Sequence, residues 1–362
     1  MNQNDLFWMW FANTTVISRK KKRQMLEYFG SPYNIYMARQ DELQLFVSGD
    51  KFCIWEHEKD LTSIEKQWNS LAHKGVHFCH RENNVYPQSF CSLEDYPLAF
   101  YYKGKLPRKE QKLVAVIGSR NASFYGMEVT GYFAKELARN GVGIVSGLAL
   151  GIDAASHQGA LEVGGYTIGI IGGGIHTVYP KENYNLYMRM EEDGGILSEY
   201  LPDASPKPYH FPERNRLISA LADAVLVVEA KEKSGTFITV DQGLEQGKDI
   251  FAIPGRITDE NSIGCIRLIS QGARPVVSPN ELLKELGLIS QNETLKDELT
   301  ENLLAYTEKI VYSCVRLEPI YIEEIIQQCQ LSPSEVLSTL LSLEIKGYIK
   351  QIVKSYYVRV LR

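Results

Sequence analysis

The 362-residue sequence contains no apolar run near the ~18–20 residues that a bilayer-spanning helix requires, so no membrane span is expected. It has no CxxC pair. Its six cysteines, at positions 53, 79, 91, 265, 314 and 329, stand far apart, which argues against a zinc knuckle or a disulfide framework and reads as reduced packing residues. A secretory signal is not indicated either, because Asp5 precedes the aromatic stretch and the basic run follows it; the expected location is the cytoplasm. Net positive charge is missing too. At −5 the chain carries no general basic coat for polyanions, so any nucleic-acid site has to be local. There is no Walker A loop, no internal repeat and no low-complexity tract.

What is present is an ordinary globular composition, 44% apolar and 23% charged, long enough for two or three domains at roughly 100–200 residues each. Residues 1–75 are rich in aromatics and helix formers. Phe7, Trp8, Met9, Trp10 and Phe11 lead into the basic run Arg19 to Arg23, and the segment reads as short helices. Lys22 to Gly30 sets Met25, Leu26 and Phe29 at helical spacing and stops on glycine. The basic run reads first as a solvated helix face and second as a nucleic-acid contact. Tyr86 to Gly104, with prolines at 87 and 97, reads as an extended connector. From Leu113 to Val277, β-branched runs alternate with helical patterns: Leu113–Ile117, Val142–Ser146, Tyr166–Ile171, Gly195–Ser198, Ala224–Glu229, Ile250–Ile253 and Pro275–Val277. This is the pattern of βα units building a parallel sheet, and the lack of polar alternation predicts that both faces are covered. Leu288 to Thr300 is polar and aperiodic, a linker. Helices over Ile322–Gln328 and Ser334–Lys346, a turn at Leu331-Ser332-Pro333 and an alternating stretch over Lys350–Val360 suit a winged helix-turn-helix. Its second helix carries Glu335 and Glu344 and one lysine, a poor surface for a major groove and a better one for protein contact.

In an open parallel sheet, ligands sit beyond the carboxyl ends of the strands, where helix N-termini also point. The loops there are biased: Gly118-Ser119-Arg120; Ser146-Gly147 with Gly151 and Asp153; Gly172-Gly173-Gly174 with Lys181; Lys231, Lys233, Ser234, Gly235 and Thr236; Pro254-Gly255-Arg256. Glycines admit a ligand to the backbone, and Ser, Thr, Lys and Arg donate to anionic oxygens. One such loop is merely a tight turn, but their coincidence on a single edge predicts an anion-binding crevice. The spacing departs from a dinucleotide fingerprint, with Arg120 where a second glycine belongs and no acidic residue closing the second strand. Arg214-Asn215-Arg216 opens a helical stretch. The two arginines grip successive phosphates or, on the plainer view, pair with Glu199 or Asp223. Tyr179, Tyr184 and Tyr187 interleave with Lys181 and Asn183, a combination suited to stacking single-stranded bases, although Tyr187 also fits a core. Asp153 and His157 read as a helix-capping carboxylate and a packed histidine ahead of an acid–base pair. His77, Cys79 and His80 alternate across a strand and are not read as a metal site.

Taken together, Gly118-Ser119-Arg120 with Ser123 and Tyr125-Gly126, Val145-Ser146-Gly147-Leu148-Ala149 with Gly151-Ile152-Asp153 and His157, Tyr179-Pro180 with Asn183, Phe211-Pro212 with Arg214-Asn215-Arg216, Ser234-Gly235-Thr236 and Pro254-Gly255 resemble the DprA/Smf family of DNA-processing proteins over most of residues 85–285. The resemblance implies an α/β fold: an extended Rossmann-like parallel sheet over 81–287, a sterile-alpha-motif-like helical domain over 1–80, a linker over 288–301 and a winged helix over 302–362. It implies a non-enzymatic protein that binds and protects single-stranded DNA, loads the RecA recombinase in natural transformation, dimerises through the Rossmann-like domain and needs no cofactor or metal. Gly118, Ser119 and Arg120 would hold phosphate, Arg214, Asn215 and Arg216 would line the same pocket, and Tyr187 would meet a base. With Lys181, Asn183, Ser234, Gly235 and Thr236 these make up the expected site. Leu150, Tyr184 and Ile266 depart from the family's usual residues, and Val16-Ile17-Ser18 replaces a DNA-gripping hairpin, so packing is expected there. The rival reading is a nucleotide phosphoribohydrolase of related fold. Its catalytic glutamate would fall on Thr239, leaving Glu199 or Asp241 to substitute.

Overall fold

A computed structural model of the chain describes residues 3–288 and 304–360. Its centre is a nine-stranded sheet: β1 (His77–His80), β2 (Ala99–Gly104), β3 (Leu113–Ile117), β4 (Gly143–Ser146), β5 (Thr167–Ile170), β6 (Gly195–Ser198), β7 (Ala224–Val227), β8 (Asp249–Ala252) and β9 (Arg274–Pro275). The spatial order is β1-β2-β6-β5-β4-β3-β7-β8-β9. From β6 through β9 all pairings are parallel. The run read as a connector instead supplies β2, which joins β6 antiparallel and carries β1 on its outer edge. Its residues Ala99-Phe100-Tyr101 are buried one after another, so no polar alternation marks the strand among its turn-forming neighbours. The sheet therefore begins at His77, before the boundary expected at residue 80.

β3 is buried along its whole length, with successive residues facing opposite layers. Val114 and Val116 join one apolar cluster with Val129, Phe133 and Leu137 of the helix Phe124–Arg139. Leu113, Ala115 and Ile117 join the other with Leu217 and Leu221 of the helix His210–Leu221. The chain winds from β3 through β4, β5 and β6 in one direction, then returns beside β3 as β7 and continues through β8 to β9. The reversal at β3 is a topological switch point, where loops diverge and leave a crevice at the strand carboxyl ends.

The first six helices lie within residues 3–73 around Trp10, Phe11, Met25, Ile35, Leu43 and Trp55. That cluster runs on without a break into Leu148, Ile175, Leu186, Met190 and Ile196 of the sheet region. Ile17 is buried and Ser18 caps the helix Arg19–Phe29, accepting from the Lys21 amide, so this segment packs as expected. The basic run is split: Lys20 and Lys21 are exposed on a solvated face, as the first reading has it, whereas the other three cations are engaged by the protein. Lys22 is buried and donates to the Ala12 carbonyl at 2.7 Å, Arg23 pairs with Asp95, and Arg19 lies 3.5 Å from both Glu199 and Glu213. Spacing places these cations on one helix, and only packing shows that Arg19, Lys22 and Arg23 are the ones turned toward protein.

The helices Tyr306–Cys314, Ile322–Cys329 and Pro333–Ile345 pack against a three-stranded antiparallel sheet of Ile320–Tyr321, Ile349–Val353 and Tyr356–Arg359, the winged-helix arrangement. Apart from Leu288, the expected linker lies within 289–303, outside the described residues. No helix among the described residues is long and apolar enough to cross a membrane.

Candidate functional site

The crevice at the switch point is a cleft of about 650 Å³ lined by residues that follow β3, β4 and β7 and by the start of the helix His210–Leu221. Its β3 wall is Gly118-Ser119-Arg120-Asn121. The Ser119 amide donates to the Glu229 carbonyl at 2.8 Å, fixing the loop against β7. A Cβ on Gly118 would stand 2.8 Å from that same carbonyl, so no other residue fits without moving the backbone. Gly151, with φ +75°, lets the next loop come equally close: a Cβ there would sit 2.3 Å from the Ser119 carbonyl. The β7 wall is Lys231 to Thr236. Ser234 accepts from the Thr236 amide at 3.2 Å and opens the helix Thr236–Glu245, whose N-terminal dipole faces the cleft.

Arg214 forms the floor. It is only 4% exposed, donates from Nη1 to the Gly147 carbonyl at 2.8 Å and from Nε to Asn215 Oδ1 at 3.0 Å, and adjoins the Asp153 carboxylate. Burial brings the guanidinium down to about 10, against the pull of Asp153, so it is cationic at neutral pH. Burial raises Asp153, while Arg214 and the loop amides of Gly147 (3.0 Å) and Ala149 (3.4 Å) oppose the rise. Asp153 therefore holds the β4 loop from inside the first turn of its helix. It does not contact His157, which is fully buried against Thr167 Oγ1 at 2.6 Å and pushed down to about 3 by burial, with Arg214 adding to the drop. Four cations, Arg120, Arg214, Lys231 and Lys233, line the cleft against the single carboxylate of Asp153.

Of the residues singled out in the sequence, Gly118, Ser119, Arg120, Arg214, Asn215, Ser234, Gly235 and Thr236 come together here. The others do not. Arg216 turns to the opposite flank, where Nη2 meets both oxygens of Glu199 at 3.1 and 2.8 Å and Nε lies 3.3 Å from Asp95; this is the structural ion pair that the sequence also allowed. Asn183 is buried and donates to the Leu148 and Ala149 carbonyls at 3.0 and 3.1 Å. Lys181 is exposed outside the cleft lining. Tyr187 is not available to a base as expected. Helical register places it with Leu186 and Met190 on the inward face of Tyr184–Asp193, where it is 2% exposed and donates its hydroxyl to the Ile175 carbonyl. Tyr184 points outward, 55% exposed. His80 is taken up in docking the first helix, near Asp5 at 3.2 Å and stacked on Trp8, and Cys79 is core. Asn121, Lys233, Tyr179 and Phe211, which lie outside the expected site, also line the cleft. Only the fold brings their separate loops to one place.

The arrangement can hold an anionic oxygen cluster by hydroxyl, guanidinium and ammonium donors from the loops after β3 and β7 and the start of the helix His210–Leu221. A family model described as DNA recombination-mediator protein A matches residues 77–287, which is the sheet and its cleft. The chain belongs to that family. A second model, the DprA winged helix domain, matches residues 297–352. The chain is 40% identical over 232 residues to DNA processing protein DprA of Bacillus subtilis (strain 168), covering 64% of this chain and 78% of that one. Among solved structures it is similar to DNA processing protein A of Streptococcus pneumoniae, with TM-score 0.67 and 33% identity over 79% of this chain and 99% of that one. It is also similar to DNA processing protein A of Helicobacter pylori, solved for its single-stranded DNA binding mode, with TM-score 0.53 and 32% identity over 58% of this chain and 95% of that one.

Proposed function

We propose that this chain is a DNA-processing protein that binds single-stranded DNA without cleaving or modifying it, seating backbone phosphate in the switch-point cleft. The observation that carries this reading is the convergence of Ser119, Arg120, Arg214, Ser234 and Thr236, from the loops after β3 and β7 and the helix His210–Leu221, on one cleft of net positive lining. Family membership and the Helicobacter pylori relative support the choice of ligand. In this reading residues 81–287 carry the DNA, residues 1–80 brace them, and the winged helix over 302–362 meets a protein. The bound strand is protected and passed to the RecA recombinase, and two copies act together through the sheet domain, in the cytoplasm.

Catalysis of the phosphoribohydrolase kind finds little support. The position for its glutamate is Thr239, Glu199 is locked against Arg216 away from the cleft, Asp241 is not in the lining, and Asp153 is engaged by two amides and Arg214. The deciding experiment is a fluorescence-polarisation titration with oligo-dT, duplex of the same length and a mononucleotide, at several salt concentrations. Oligo-dT should bind tightest, with affinity falling log-linearly as salt rises because phosphate contacts release counterions. Indifference to oligo-dT at low salt, or release of free base from a nucleoside monophosphate, would overturn the reading.

A further inference from the structure

Phosphate binding calls on no carboxylate, yet one is buried directly behind the β3 wall of the cleft. Glu229 follows β7 and is 3% exposed. Its carboxylate is met by neutral donors: the Ser123 amide at 2.9 Å, the Ser123 hydroxyl, and Asn261 Nδ2 at 3.2 Å. Gly126 leaves the room for it, since a Cβ there would stand 2.4 Å from the carboxyl carbon. The carboxylate thus sits on the first turn of the helix Phe124–Arg139, where the dipole favours negative charge. In a dinucleotide fold the first βα turn receives the pyrophosphate. Here the protein fills that place with its own side chain. The same residue grips the other end of the loop, because its carbonyl accepts from the Ser119 amide at 2.8 Å. Asn261 Nδ2 also donates to the Asn121 carbonyl at 3.1 Å. Ser119, Asn121 and Ser123 are therefore fixed, and Arg120 stands exposed among them with its backbone set before any ligand arrives. The Arg120 guanidinium lies 5.3 Å over the centroid of Phe211, which leaves its edge donors for oxygen.

We propose that Glu229 is the positioning residue of the phosphate loop: its carboxylate, standing where a bound phosphate would, locks Ser123 and with it the direction in which Arg120 reaches into the cleft. It touches no ligand and acts through Arg120. An apolar side chain would fill the space at less cost if packing were all that is required, since a buried carboxylate has to be compensated by every donor around it. This inference rests on the phosphate reading above and deepens it by naming what holds its arginine.

The test is a double-mutant cycle on the full chain, read by oligo-dT polarisation at a temperature where circular dichroism shows every variant folded. Glu229→Ala should weaken binding roughly tenfold, and Arg120→Ala, which costs about tenfold in the wild-type chain, should cost less than about twofold once the loop is freed. Formate, the smallest carboxylate, should restore the affinity of Glu229→Ala where chloride at the same ionic strength does not. An equal cost of Arg120→Ala in both backgrounds, an undiminished affinity of Glu229→Ala, or a loss that formate fails to repair would each overturn the proposal while the phosphate reading stands. An Arg120→Ala change without effect in the wild-type chain would instead bring down the reading beneath it. If Glu229→Ala does not fold, Glu229→Gln, whose amide turns donors toward Ser123 or Asn261, enters the same cycle and decides.

Discussion

Two arginines, Arg120 in the cleft and Arg216 outside it, illustrate the residue scale. Arg120 is exposed, and its stacking partner is itself in the cleft, so removing it should cost binding and little else. Arg120→Ala is expected to lower oligo-dT affinity about tenfold or more, with melting unchanged within a degree or two. Polarisation and thermal unfolding on the same sample check both halves. Arg216 is the opposite case. It is 8% exposed and pairs with Glu199, which is equally buried, so Arg216→Ala leaves that carboxylate short of a partner and should destabilise the chain by about 3 kcal/mol. Chemical denaturation reads this directly, and a loss confined to DNA affinity would show the assignment to be mistaken.

At the scale of elements, the helix Arg19–Phe29 joins the helical region to the sheet domain through the paired cations Arg19 and Arg23, while the buried Lys22 ties it to the Ala12 carbonyl of the first helix. Burial lowers Lys22 to about 8 from 10.5, more than the attraction of Glu58 raises it. Between those two values the unfolded chain keeps a proton that the folded chain has released, so folding gains as pH rises. The stability of wild type relative to Lys22→Met is therefore expected to be flat below pH 8 and to increase by up to ~3 kcal/mol toward pH 10.5. Urea unfolding of both chains across that interval checks it; a difference that falls with pH would contradict the burial argument.

For the whole molecule, the apolar clusters of the sheet contain no residue beyond 288, and that of the winged helix none before 304. Across the two regions the exposed pair Arg256 and Glu318 contributes little. A chain ending at Leu288 should thus keep oligo-dT affinity within about twofold and unfold with its remaining core intact. Polarisation on the truncated chain tests this, and a large loss would mean that the winged helix shares in the binding.

Local pattern by itself determined most of the architecture. The apolar runs at β3 and β6 coincide with the observed strands, and the turn at Leu331-Ser332-Pro333 with the start of a capped helix, because period and turn chemistry are properties of neighbouring residues. The glycine and serine loops of the site were legible for the same reason. Tertiary structure alone decided which side chains face one another. It placed Tyr187 inside and Tyr179 outside, sent Arg216 to Glu199 while Arg214 floors the cleft, buried Lys22 of the basic run, and made a sheet strand of an apparent connector. Such choices depend on contacts between segments distant in the chain, and those exist only once the sheet has brought the segments together.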